Sequence, residues 1–191
     1  MALRVRLSLV MACVLCVACR RDQVVSREHP AWGASVVTLG VAPGTCSDVL
    51  ACQAECDAGS ADRCRRLAET YASGRGVARD ETRATALYEH ACEMRDPPAC
   101  VFAGRMYEFA HGVAEDDFRA ARLYARACDL QWAPGCYNLA VMCERGTGVP
   151  QDRAKAASLY QVACSAGAKP ACDKADEMRE TPARSPKTGP W

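Results

Sequence analysis

Fourteen of the 191 residues are cysteine, far above ordinary usage. Eight of them fall into four pairs: Cys56/Cys64, Cys92/Cys100, Cys128/Cys136 and Cys164/Cys172. Members of a pair stand eight positions apart, and one pair follows the next at 36 positions. Thiols at such spacing have three chemistries open to them: disulfide bonding, metal ligation as thiolates, or an inert life as small apolar side chains. Cysteine usage this dense belongs to an oxidising compartment, which favours disulfides. Zinc fits less well. Pairs borne on successive layers of a helical stack are separated by about 10 Å, and no column of histidines accompanies them. Of the other six, Cys13, Cys16 and Cys19 lie near the N-terminus; Cys46 and Cys52 are candidates to bridge each other, and Cys143 is left single.

Other catalytic chemistry has little to stand on. His29, His90 and His111 fall in unrelated contexts, and no spacing pairs any of them with a nucleophile. No phosphate loop, dinucleotide fingerprint or metal-ligand helix is present. Lys187-Thr188-Gly189 spells one piece of the serine β-lactamase motif set, but no Ser-x-x-Lys accompanies it. No cofactor and no metal are therefore expected. With a net charge of +1, the chain has no electrostatic footprint for nucleic acid.

The elements that position the cysteines are repeats. Asp80 to Cys100 (DETRATALYEHACEMRDPPAC) returns without a gap as Asp116 to Cys136 and as Asp152 to Cys172, the mark of a stacked array. Counted from the Asp, fixed positions fall at offsets of 4, 7, 8, 11 and 12: Ala84, Leu87, Tyr88, Ala91, Cys92 and their equivalents. That is one stripe of an α-helix, here the B helix, and the Asp before it has the chemistry of an N-cap. A second, A helix fills the interval over 64–77, 100–113 and 136–149. Its stripe is Cys64, Leu67, Ala68, Tyr71; then Cys100, Ala103, Gly104, Tyr107; then Cys136, Leu139, Ala140, Cys143. Each ends near glycine, which stops a helix by reaching left-handed backbone, and Val77, Val113 and Val149 follow to plug the turn. Each cysteine pair thus ties the last turn of a B helix to the first turn of the next A helix. A loop so short brings antiparallel helices within bridging distance, and each closure is worth roughly 2.5 kcal/mol in the chain-entropy model.

The pattern L-A-x-x-Y-x-x-G-x-G-V-x-x-D-x-x-x-A-x-x-L-Y-x-x-A-C resembles the Sel-one-like repeat, a relative of the tetratricopeptide repeat. Cysteines eight apart, one set per repeat, resemble the secreted Helicobacter cysteine-rich protein family. The resemblance covers residues 47–180, with Ala110 in a glycine position and Cys143 in a tyrosine position. It implies an all-α fold, an α/α solenoid of helix pairs. Residues 47–58 form a polar cap helix; the repeats are 64–99, 100–135 and 136–171; and 172–180 is a terminal half-helix.

Residues 1–18 read as a secretory signal: Arg4 and Arg6 precede a twelve-residue apolar run, too short for the roughly 20 residues a bilayer span needs. Leu15-Cys16-Val17-Ala18-Cys19 resembles a bacterial lipobox with Cys19 as the acylated residue, though Cys16 is an imperfect match. A plain signal cut nearby is the alternative. Removal takes away two arginines and no acid, which turns the charge of +1 into about −1. Residues 19–46 read as a lipid-attached tether and 181–191, with three prolines, as a disordered tail. The expected address is exported: a periplasm-facing lipoprotein, of the outer membrane, or a secreted protein.

Stacked helix pairs leave an extended concave surface, and resemblance to tetratricopeptide arrays implies that A helices line it. The open shoulder then carries Arg65, Glu69 and Ala72; Val101, Arg105 and Glu108; and Tyr137, Val141 and Glu144. These columns vary while the core columns do not. The function expected is a non-enzymatic scaffold binding a protein or peptide partner in the bacterial cell envelope, touching membrane only through its lipid. The opposite shoulder, with Phe102 and Phe109, competes for the same role. The alternative comes from resemblance alone. Relatives in the cysteine-rich family are associated with binding and weak hydrolysis of β-lactams, so a β-lactamase-type hydrolase, or a protein that takes peptidoglycan fragments, stays open.

Overall fold

The computed structural model describes Cys46 and residues 48–180. The signal, Cys19, the rest of the tether, His29 and the tail lie outside the described residues. Within them are eight α-helices and no strand: α1 (Val49–Asp57), α2 (Ala61–Ser73), α3 (Glu81–Glu93), α4 (Pro97–Glu108), α5 (Asp117–Asp129), α6 (Ala133–Arg145), α7 (Arg153–Ser165) and α8 (Lys169–Glu180). The even-numbered helices are the A type and the odd-numbered the B type. Each packs on the next in the chain, and α4 also touches α6 directly. The fold is the expected α/α solenoid. None of these helices is long and apolar enough to cross a membrane.

Repeated hydrogen bonds hold the register. Asp80, Asp116 and Asp152 cap α3, α5 and α7, their carboxylates accepting from the amides of Arg83, Arg119 and Lys155, where the helix dipole also favours an anion. The backbone amides of the same three Asp donate to the carbonyls of Tyr71, Tyr107 and Cys143 at 3.0, 3.1 and 2.8 Å. One residue therefore ends an A helix and starts a B helix. At the other end of each hairpin, the amides of Ser60, Asp96, Trp132 and Ala168 return to Glu55, Ala91, Ala127 and Ala163.

The core is thin and made of small residues. Ala84, Ala91, Ala120, Ala127, Ala156 and Ala163 are wholly buried, and the bulk comes from Leu67, Tyr88, Tyr124, Leu139 and Tyr160. Val77, Val113 and Val149 pack against its edge.

Two boundaries differ from the sequence reading. The A helices start at Ala61, Pro97, Ala133 and Lys169, three residues before each cysteine. The seven residues between paired cysteines are therefore mostly helix. Pro97 and Pro134 fall in the first turn, where a missing amide costs nothing and the fixed φ suits a helix. For the same reason the terminal element is a full twelve-residue helix, not a half.

Candidate partner-binding face

All four predicted cysteine pairs are bonded, with Cα–Cα distances of 4.6, 4.6, 4.5 and 4.7 Å in chain order. Cys46 and Cys52 form a fifth bond. Each of the four locks a B helix to the following A helix at the hairpin. Cys143 is the one free cysteine among the described residues, and it is buried. Burial pushes its thiol above the usual value; the nearby Lys155 ammonium opposes this and Asp152 adds to it. A thiol so placed is a poor nucleophile.

The structure also brings His90 beside the first pair, its ring nitrogen within 4.8 Å of the sulfurs of Cys56 and Cys64. Sequence spacing gave no hint of this, because the residues meet across the layers of the stack. The sulfurs are bonded to one another and offer no thiolates to a metal. His111 is likewise exposed, near Glu81.

The shoulder residues divide into three sets. Arg65 is bound in a network: its guanidinium reaches Asp62 at 2.5 Å, Glu69 at 2.6 Å and Asp96 of the next A helix at 3.2 Å. Burial would lower the Arg65 pKa, but the Glu69 hydrogen bond and the Asp96 charge overcome it and hold it above the ordinary value. Glu108 and Glu144 form the second set. The hydroxyl of buried Tyr124 donates to Glu108 at 2.5 Å, and that of buried Tyr160 to Glu144 at 2.9 Å. Burial first, and these carboxylates second, push both phenols far above their usual range. These acids therefore support the core as well as edging the face, a tie between columns sixteen residues apart that helix periodicity does not display.

The third set is what a partner can touch. Arg105 is exposed, with its guanidinium 6.0 Å from the ring of Phe109 and no carboxylate within ion-pair distance among the described residues. Val141 and Tyr137 are half-buried, and the Tyr137 ring meets Tyr160 edge-on at 5.5 Å. Val101 is corrected: it is buried in the core cluster and offers no surface. Ala72 is half-buried. On the competing shoulder, Phe102 is stacked on Tyr88 with ring centroids 5.2 Å apart, while Phe109 is 53% exposed. Beside Tyr137 a cavity of about 270 Å³ opens between α6 and α8, lined by Pro134, Tyr137, Asn138, Ala168 and Pro170.

Comparison with known proteins agrees with this architecture. A family model, the Sel1 repeat, matches residues 64–96, 97–131 and 133–167. A search of curated proteins finds no match. Among solved structures, a Sel1 repeat protein from Oxalobacter formigenes is 26% identical, with a TM-score of 0.63, over 68% of this chain and 98% of its own. A protective antigen of uropathogenic Escherichia coli that displays an SLR fold is 25% identical, with a TM-score of 0.67, over 72% of this chain and 30% of its own. The cysteine rich protein B of Helicobacter pylori is 24% identical, with a TM-score of 0.52, over 67% and 97%, a likeness of fold.

Proposed function

The chain belongs to the Sel1 repeat family, and from that premise we propose that it is a non-enzymatic scaffold of the bacterial cell envelope which binds a protein or peptide along its A helices. Sel1 repeat proteins are generally protein-interaction scaffolds, typically without catalysis. The observation that carries the reading is the split within the shoulder columns: Arg65, Glu108 and Glu144 are consumed by internal contacts, while Arg105, Tyr137 and Val141 keep accessible surface that the fold does not use. Direct contact between α4 and α6 supports placing A helices on the inner, concave side. Five disulfides support an oxidising, extracytoplasmic address, and the lipobox-like run ending at Cys19 supports a lipid anchor. Staples and a rigid face limit the ordering cost of binding.

Arg105→Glu tests this at an exposed residue that makes no ion pair among the described residues. The variant should fold and melt as the parent does, and lose a partner recovered by pull-down from envelope extracts. Unchanged recovery would move the site elsewhere. Turnover of a chromogenic β-lactam above background by the oxidised protein would favour the hydrolase alternative; none is expected.

A further inference from the structure

The cavity beside Tyr137 has a chemistry distinct from the rest of the A-helix surface. Two proline rings, a tyrosine and an alanine form its walls. Asn138 is the polar exception: half-buried at the cavity, it makes no hydrogen bond within the described residues. A side-chain amide offers one acceptor and two donors side by side, the complement of the carbonyl and amide of an extended peptide backbone. Apolar walls with one convergent amide suit a single apolar side chain with its backbone pinned at the mouth.

Charge on the two flanks is opposite in sign. Arg105 lies on α4, in the column of Val141, one turn below Tyr137 along α6. Asp173 lies on α8, in the column of Tyr137, and is exposed. Neither makes an ion pair among the described residues, whereas at the start of the array Arg65 is already neutralised by Asp62, Glu69 and Asp96. Neighbouring helices about 10 Å apart, with one turn of about 5.4 Å, place Arg105 about 11 Å from Tyr137 on one side and Asp173 about 10 Å from it on the other. To span these, an extended chain rising about 3.3 Å per residue needs about four and about three positions.

We propose that this site takes an extended peptide segment of a protein partner: an apolar side chain fills the cavity, its backbone is held by Asn138, an acidic residue about four positions away pairs with Arg105, and a basic residue about three positions to the other side pairs with Asp173. This rests on the partner-binding reading above and specifies what that face selects. Most contact energy comes from the seated side chain, and the flanking charges set order and register.

The test uses the full oxidised protein and fluorescein-labelled synthetic peptides in a Gly/Ser background, read by fluorescence anisotropy at low salt. The probe carries glutamate about four positions before leucine and lysine about three after it. It should bind saturably, and replacing its leucine by glycine should abolish binding. Arg105→Glu or Asn138→Ala should each weaken it by at least about tenfold, and a peptide with lysine in place of glutamate should recover binding to Arg105→Glu. The proposal is overturned by failure of the probe to bind, by binding that ignores the leucine or Arg105, or by a soluble peptidoglycan disaccharide-peptide that saturates the cavity in its place. A photo-crosslinker at Tyr137 separates the two levels. An envelope protein captured there while the probe fails removes the peptide assignment and leaves the partner-binding face standing; no capture and no probe binding remove both.

Discussion

Gly74-Arg75-Gly76-Val77 and Gly146-Thr147-Gly148-Val149 are equivalent turns, yet their second glycines live in different surroundings. A Cβ on Gly148 would come within 2.3 Å of the Asp117 carbonyl oxygen on the preceding B helix, and one on Gly112 within 2.4 Å of the Glu81 carbonyl carbon. Among the described residues, a Cβ on Gly76 would meet nothing within 4 Å. The preceding B helix there, α1, starts at Val49 behind the Asp48 cap and is nine residues long, against thirteen for α3 and α5. The shared sequence motif therefore codes for two separate things, a left-handed turn everywhere and a close approach between layers only where a full B helix precedes. A different contrast, with the third layer as the odd one, runs through the tyrosine column. Arg83 stacks over Tyr71 at 4.3 Å and Arg119 over Tyr107 at 4.4 Å, whereas the third layer has Cys143 with Lys155 near it.

The largest expected effect separates Gly148→Ala from Gly76→Ala. The first forces a methyl group into backbone and should destabilise by more than about 3 kcal/mol. The second bears only the penalty of a left-handed alanine, about 1 kcal/mol. Denaturant titration distinguishes them, and equal losses would refute the difference in layer contact. Next in size is a staple. Cys128→Ser with Cys136→Ser should destabilise by about 2.5 kcal/mol or more, while Cys143→Ser, which opens no loop, should do less in the same titration.

Alkali probes the tyrosine columns. Tyr88, Tyr124 and Tyr160 have phenols pushed up by burial, and Tyr124 and Tyr160 further by Glu108 and Glu144. The folded state thus holds protons that the unfolded chain releases above a pH of about 10. Their contribution is complete below that value and is lost as pH rises through the folded-state range. Thermal melts should show the midpoint falling above a pH of about 10, with tyrosinate absorbance appearing together with unfolding. The smallest effect is a gain. Ala110 sits at φ 54°, in the column of Gly74 and Gly146, so Ala110→Gly should stabilise by about 0.5–1 kcal/mol in a chemical melt.

Much of this was legible because the repeat supplies its own controls. A residue that recurs every 36 positions does a job every layer needs, which is how the Asp caps, the alanine and tyrosine stripes and the cysteine pairs stood out. What recurs imperfectly was hidden. The A-helix starts were missed because their cap column reads Ser60, Asp96, Trp132 and Ala168; only Asp96 accepts a capping hydrogen bond through its side chain. The prolines at Pro97, Pro98, Pro134 and Pro170 carried that signal instead. Glu108 and Glu144 looked like surface because their phenol donors come from the next helix, and Val101 looked open because burial across layers is not visible in one helix's periodicity. Nothing in the sequence marks Asn138, because its lack of a hydrogen-bond partner among the described residues is a fact of three dimensions.

The central claim is that the A-helix face, not the outer B-helix face, meets a partner. The direct measurement places one photo-crosslinking residue at Val141 and, in a second variant, at Ser158 on the exposed side of α7, then irradiates cells and identifies adducts by mass spectrometry. The account predicts one discrete adduct from position 141 and none from position 158. Adducts from position 158 alone, or equally from both, would contradict it.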